Sequence, residues 1–433
     1  MHESKRLLSY FYLMSELRFL NYQDLEQIRI EFGTPSYVYD ELLLRKKAQE
    51  LSAFPHAFGF FPRYAMKAAP TGAILRIFNS EGLGIDASSI FEVERAIRAG
   101  FGTEFISLST QELTDDFRFW AQDGVKINLC SLNQIRKFGE WKLKEPVGLR
   151  FNPGTGSGGT NRTNVGGPSS SFGIWKGELD KAVKLCKDFG LKVERIHTHI
   201  GSGSDPEIWK KVASMSLELV RAIPSVHTLN LGGGFKVARM KNEMATDLQE
   251  IGHPVKLLFQ EFARETNREL KLEVEPGTFL VAHAGSLVCS VQDTTDTGNE
   301  GYRFLKLDGG MTEILRPSLY GAQHPIHIIP EPGQRPMRET TPQVIVGHCC
   351  ESGDLLTPAS GDPEKLEPRN ILRGEVDDFC VVESAGAYCS SMTAKNYNSF
   401  PEAAEVLKKS DGNLALIRKR QTFEQIVDNE VVP

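Results

Sequence analysis

Between Arg63 and Glu275, short apolar runs alternate with amphipathic stretches eight times over, and few folds accept that order. The strand-like runs are Arg63–Lys67, Gly84–Ser88, Phe105–Ser109, Val125–Cys130, Val147–Asn152, Val193–Ser202, Thr228–Gly232 and Lys271–Glu275. Helical periodicity separates them, for instance over Ile90–Ala99, Gln111–Trp120, Glu178–Lys187, Glu207–Ala222 and Leu248–Leu270. Parallel strands need helical crossovers, and eight such units point to an α/β fold closed into a parallel β/α barrel with no free edge. A doubly wound open sheet is the alternative that the same alternation permits.

Lys67, Asp86, Ser109, Ser131, Asn152, His199, Gly232–Gly234 and Glu275 all fall at or just past the C-terminal ends of these strands. A barrel builds its active site from those ends. Past Glu275 the pattern changes. Leu280–Gln292 alternates without helix caps, and Tyr302–Leu307, Gln343–His348, Asp378–Val382 and Leu414–Arg418 read as further strands between loops bearing Gly and Pro. They predict an antiparallel β domain, joined by an early strand at Ser36–Tyr39 that follows the break at Gly33-Thr34-Pro35. The expected organisation is an N-terminal helix and strand joining the β domain (1–40), a β/α barrel (41–285) and a C-terminal β domain (286–433). Asn152–Ser171 is crowded with Gly, Ser, Thr and Asn, and a loop of that length is usually functional or disordered.

Composition narrows the function classes. The chain is 40% hydrophobic and 24% charged with a net charge of −6, which is ordinary for a globular protein. Acids and bases are mixed, so neither a nucleic-acid stripe nor a polybasic membrane patch is present. No run approaches the ~20 apolar residues of a membrane span. Leu7–Met14 is short and is followed by Glu16 and Arg18 without a small-residue cleavage site, so it reads as a helix rather than a signal peptide. Seven cysteines, odd in number and irregular in spacing, argue against a disulfide framework and for a reducing cytoplasm. The absence of CxxC pairs argues against structural zinc.

Four stretches carry chemistry. Tyr64-Ala65-Met66-Lys67-Ala68 ends a strand on a lysine. Burial lowers an ammonium's pKa, and the neutral amine can condense with an aldehyde coenzyme. A snorkelling or salt-bridged lysine is the plain alternative. His197-Thr198-His199-Ile200-Gly201-Ser202-Gly203 sets two histidines on one strand face. They suit a coenzyme-stacking imidazole, a zinc pair or a structural role, although no other strand end supplies a histidine. Leu229-Asn230-Leu231-Gly232-Gly233-Gly234-Phe235 lets backbone N–H groups approach a phosphate. Alone it is also a tight turn, and it is not the dinucleotide fingerprint. Glu273 and Glu275 share a face, so both can be buried only if each is paired. A carboxylate at Glu275 could keep a pyridine nitrogen protonated and make the ring an electron sink. Cys349–Asp354 and Ala385–Met392 read as loops after apolar strands, and each taken singly is structural before it is catalytic.

Taken in order from Phe32-Gly33-Thr34-Pro35 to Ser399-Phe400-Pro401, six collinear motifs resemble the fold-type III pyridoxal-phosphate decarboxylases, in the diaminopimelate decarboxylase branch. The resemblance implies pyridoxal 5'-phosphate as coenzyme, carried on Lys67, with His199 stacked on its ring. It gives Ser202, Gly232, Gly233, Gly234 and Tyr388 to the phosphate, Glu275 to the pyridine nitrogen, and Asp86 a place near the lysine. Cys350 and Glu351, in Cys350-Glu351-Ser352-Gly353-Asp354, would act across a homodimer interface, Cys350 as proton donor and Glu351 on the substrate's distal ammonium. Arg316 and Tyr320 match substrate-contacting positions, and no metal is implied.

One departure concerns the substrate. The family usually has arginine after Glu-Pro-Gly, where this chain has Thr278. Losing that bidentate clamp weakens recognition of a second carboxylate. With the unusual Asn152–Ser171 loop, this sets D-lysine and D-ornithine beside meso-diaminopimelate as expected substrates. Three rivals share parts of the pattern: an alanine-racemase-like enzyme, a barrel metallohydrolase using His197 and His199, and a non-catalytic coenzyme-binding regulatory homologue. The last should have lost the lysine or the cysteine, and both Lys67 and Cys350 are present.

Overall fold

A computed structural model describes residues 17–155, 166–199, 201, 203, 205–334 and 338–431. The helix expected at Leu7–Met14 and the expected phosphate ligand Ser202 lie outside these residues. The chain divides into two compact units. One comprises Leu44–Ala238 and Glu243–Leu280; the other takes the residues up to Leu43, Arg239–Asn242 and everything from Val281 onward. Among the described residues no helix is long and apolar enough to cross a membrane.

Strand β1 (Ser36–Asp40) belongs to the second unit. The first unit holds β2 (Phe60–Ala65), β3 (Gly84–Ala87), β4 (Ile106–Ser109), β5 (Lys126–Leu129), β6 (Val147–Asn152), β7 (Ile174–Trp175), β8 (Val193–Thr198), β9 (Thr228–Asn230) and β10 (Lys271–Val274). All pair in parallel, and the cycle β2-β3-β4-β5-β6-β8-β9-β10 closes where β10 meets β2. The expected eight-stranded barrel is the fold. Two-residue β7 hangs on β6 outside the cycle and was not foreseen, being too short to show a period.

Alternation along each strand gives the barrel its two faces. Tyr64, Ile85, Leu108, Leu149, Ile196, Leu229 and Val274, none with any exposure, point one way and build the apolar layer. Arg63, Asp86, Ser109, Asn128, His197, Asn230, Glu273 and Glu275 point the other way and fill the interior with polar groups. The crossover helices start at side-chain caps. Ser89 and Ser131 accept from the N–H groups of Glu92 and Gln134, and Asp205 and Asp247 cap Pro206–Arg221 and Leu248–Thr266.

Two boundaries differ from expectation near the site. Strand β2 stops at Ala65, and Lys67 sits exposed in the helical turn Met66–Ala68, closed by the Ala69 N–H to the Met66 carbonyl at 3.1 Å. Its amine is therefore not buried at a strand tip. The run after Glu275 first makes a short helix at Thr278–Val281 and a turn at Ala282–Ala284, and only then the strand Gly285–Asp296. A continuously apolar run carries no period that separates helix from strand.

In the second unit, β1 lies between two late segments, antiparallel to Gly285–Asp296 and parallel to Ala404–Lys408. Antiparallel pairing dominates the sheet, with a second parallel pair at Arg303–Leu307 and Thr340–Val346. Val38, Val288, Phe379, Val381 and Val406 form its core together with Leu25 and Ile28 from the helix Tyr22–Glu31.

Candidate active site

At the C-terminal mouth of the barrel, β10 continues into Glu275, which is 3% exposed yet carries a charge-bearing group. The Asn230 amide donates to its Oε1, and Oε2 lies 3.2 Å from Nε2 of His197. Burial opposes ionisation, but His197, Arg63 and the Asn230 amide outweigh it and hold this carboxyl below its ordinary range. The His197 ring is oriented from behind. Asn128 Nδ2 donates to Ser109 Oγ at 3.0 Å, and Ser109 Oγ lies 3.2 Å from Nδ1 of His197. The Glu275 carboxylate can only accept, so it favours the tautomer with the proton on Nε2, and Nδ1 then accepts from the Ser109 hydroxyl.

Asp86, at the end of β3, pairs in register with Ala65, two residues before Lys67. Its carboxyl is raised well above the usual range, first by burial and then by the charge of Glu275, while Lys67 pulls the other way. Oδ1 of Asp86 has no hydrogen-bond partner among the described residues. The result is two carboxyls pushed in opposite directions, Glu275 toward the ionised form and Asp86 toward the protonated one.

The glycine turn after β9 is shaped by contact. Gly232 adopts φ +70°, and a Cβ there would meet the His199 ring and its Cβ at 2.8–2.9 Å. A Cβ on Gly233 would stand 2.3 Å from the Glu275 carbonyl oxygen. The turn is tied down by the Gly232 N–H to Asn230 Oδ1 at 2.8 Å and by the Glu275 N–H to the Gly232 carbonyl at 2.7 Å. His199 packs against this turn and accepts the Gly201 N–H on Nδ1 at 2.9 Å. Desolvation, then Arg150 and Lys67, hold its imidazole well below its usual pKa, so it is a neutral flat ring.

Lys67, Asp86, His199, Gly232–Gly234 and Glu275 thus gather at one barrel mouth. A backbone cradle that no side chain could enter, an ionised deep carboxylate and a neutral imidazole on the cradle fit a phosphorylated pyridine ring. Sequence reasoning missed Arg150, Asn128 and Asn230. Each lies on the inward face by simple alternation, with Arg150 beside His197 and Asn230 two residues before Gly232. Asn152 takes a structural part instead: Oδ1 accepts the Gly154 and Gly167 N–H groups at 3.0 and 2.9 Å, gathering the two described ends of its loop.

The second unit holds the other expected site residues. Cys350 and Glu351 are exposed in a tight turn, with the Cys350 N–H on Asn398 Oδ1 at 2.9 Å. Asp354 anchors that turn by accepting the Cys349 and Met311 N–H groups. Arg316 and Tyr320 lie on the short helix Leu315–Tyr320, where Arg316 Nε is 3.4 Å from His324 and the Tyr320 hydroxyl faces the Met392 sulfur. Tyr388 is half-buried with a left-handed backbone, φ +56°.

Residues 43–282 match the family described as pyridoxal-dependent decarboxylase, pyridoxal binding domain. Diaminopimelate decarboxylase of Escherichia coli (strain K12) is 31% identical over 426 residues, 95% of this chain and 97% of that protein. Its counterpart in Streptomyces coelicolor is 33% identical, covering 93% of this chain and 90% of the relative. Among solved structures, a diaminopimelate decarboxylase superposes with a TM-score of 0.88 at 30% identity over 96% of this chain and 98% of that one. Diaminopimelate decarboxylase from Helicobacter pylori complexed with L-lysine gives 0.81 at 25% identity over 94% and 98%. Barrel, coenzyme cradle and full-length likeness agree: the chain belongs to the pyridoxal-dependent decarboxylases.

Proposed function

We propose that this enzyme decarboxylates a diamino acid of the diaminopimelate class, and that Lys67, at the mouth of the barrel, carries pyridoxal phosphate. The observation that carries the reading is geometric: the glycine turn that admits no side chain lies against His199 and the Glu275 carbonyl, the buried Glu275 carboxylate is held by Asn230 and His197, and Asp86 pairs in register two residues before Lys67. When bound, the coenzyme supplies a ring that accepts the electron pair left by departing carbon dioxide. Glu275 then serves to hold a proton on the ring nitrogen. His199 covers one face, and the N–H groups of Gly232–Gly234 receive the phosphate, with Ser202 and Tyr388 as further ligands. Lys67 would give up its bond to the coenzyme to the substrate's amine and take it back when the product amine is released.

Cys350, supplied with Glu351 by a second copy in a homodimer, gives the proton that replaces the carboxylate. Glu351 pairs with the distal ammonium, and Arg316 and Tyr320 contact the rest of the substrate. The decisive experiment is borohydride reduction followed by peptide mapping. The coenzyme should be fixed on Lys67, and Lys67→Ala should abolish turnover; labelling at another lysine or retained activity would contradict the assignment.

Thr278 favours a second substrate reading. A threonine at the first turn of Thr278–Val281 cannot clamp a distal carboxylate bidentately. D-Lysine and D-ornithine, which lack that group, compete with meso-diaminopimelate as substrate. A panel of diaminopimelate and the D- and L-forms of lysine and ornithine, scored for carbon dioxide release, separates them. Thr278→Arg should raise the preference for diaminopimelate over D-lysine, and an unchanged ratio would refute the clamp argument.

A further inference from the structure

At the opposite end of the barrel, where the strands begin, a cavity of about 280 Å³ opens among Phe61, Arg63, Lys126, Arg195, Lys271 and Glu273. Its deep wall is short of negative charge. Glu273 takes a two-pronged bond from Arg63 at 3.2 and 3.1 Å and lies 3.1 Å from Nε of Arg195, so one carboxylate serves two guanidiniums. Arg63 and Arg195 are only 2% and 9% exposed. Arg195 donates to Glu273 Oε1 through Nη2 at 3.5 Å, while its Nε–H, although near Glu273, has no hydrogen-bond partner among the described residues. Lys126, the first residue of β5, makes no ion pair among the described residues. Burial, then Arg195 and Arg63, pull its ammonium below the ordinary pKa. Lys271 lies across the Phe61 ring at 4.8 Å, adding a further cation. Of the acids at the rim, Glu194 is engaged by Lys192 at 2.5 Å and His227 at 3.4 Å, and Glu104 is exposed.

Deep cations in excess of carboxylates, with room beside them, are complementary to an anion that brings several acceptor oxygens. We propose that this cavity is a binding site for a small dianionic oxyanion of the phosphate type, held by Lys126 and Arg195 with Lys271 at its edge. It lies at the other end of the barrel from the glycine turn, so it is distinct from the coenzyme's phosphate site.

The test uses holoenzyme, in which the coenzyme's own phosphate position is already filled. Calorimetric titration at constant ionic strength with inorganic phosphate, and separately with glycerol phosphate, should show one site per chain. The tighter of the two identifies the source as free anion or phosphomonoester. Lys126→Gln should weaken binding about tenfold or more while leaving decarboxylation unchanged. Lys271→Gln, a change at a more exposed position, should weaken it in the same direction. In a lysine NMR titration, saturating anion should raise the pKa of the Lys126 amine. Absence of binding by either anion, equal affinity in the parent and both variants, or an unmoved Lys126 resonance would each overturn the site.

Discussion

Gly232 and Gly233 show how little space the turn after β9 leaves for side chains. A methyl group on Gly232 would enter the His199 ring and also force a residue at φ +70°, a region that costs a β-carbon of the order of 1 kcal/mol. Gly232→Ala should therefore displace the stacking imidazole and weaken coenzyme binding at least about tenfold, read by absorbance titration of apoenzyme with pyridoxal phosphate. Glu275 makes a different kind of contribution. Glutamine there keeps the volume and an acceptor for the Asn230 amide but removes the charge proposed to face the ring nitrogen. Glu275→Gln should retain coenzyme yet lower turnover by about 10²–10³, the scale of a lost preorganised electrostatic contact. The two variants thus separate holding the coenzyme from using it. Much of this was legible residue by residue, because strand ends, glycines and paired acids leave local marks. Arg150, Asn128 and Asn230 left none, since a lone polar residue in a strand looks the same whether it faces a site or a solvated surface.

The barrel strands carry a buried ionic layer, Arg63 on β2, Arg195 on β8 and Glu273 on β10. Removing the single carboxylate leaves two guanidiniums, each less than a tenth exposed, without a counter-charge. Glu273→Gln should cost about 3–5 kcal/mol of stability, measured by urea denaturation, whereas Glu178→Gln on the surface should cost almost nothing. Sequence periodicity identified all eight barrel strands, because each couples an apolar outward face to a crossover helix. It was weaker at boundaries. The helix expected over Gln111–Trp120 runs Phe117–Gln122, since Thr114-Asp115-Asp116 makes a turn that periodicity alone does not register. Glu273 and Glu275 illustrate what can be inferred in advance: their shared face demanded partners, and both found them. Which partners they found depended on β2, β8 and β9, segments distant in the chain, and only the register of the closed sheet brings those together.

The whole molecule is assembled from interleaved pieces, with β1 leaving the N-terminal region to sit between strands that begin at Gly285 and Ala404. The Gly33-Thr34-Pro35 break made that strand visible in the sequence, whereas its parallel pairing was not, because pairing direction has no local signature. In this second unit one buried acid, Glu313, gives the stability of the molecule a distinct pH dependence. Glu313 is 1% exposed; its Oε2 accepts from Gly310 N and Thr312 Oγ1, and Oε1 has no hydrogen-bond partner among the described residues. Burial, with a contribution from Asp354 and Asp308, raises its pKa from 4.5 to about 7 in spite of those bonds. His348, 3.7 Å away, offers little counter-charge, because burial holds its own pKa below the usual value. Between pH 4.5 and 7 the folded chain therefore keeps a proton that the unfolded chain has released. Stability falls as pH rises through that window and is flat, as far as this group is concerned, above it. At roughly 1.4 kcal/mol per pH unit the loss amounts to about 3 kcal/mol. Glu313→Gln cannot lose the proton, so its stability relative to the parent should grow by about that amount between pH 4 and pH 8. Paired urea denaturation curves at each pH test this, since contributions from groups not coupled to Glu313 cancel in the difference. A difference that stays level across the range would return Glu313 to an ordinary carboxylate and remove the pH dependence assigned to it.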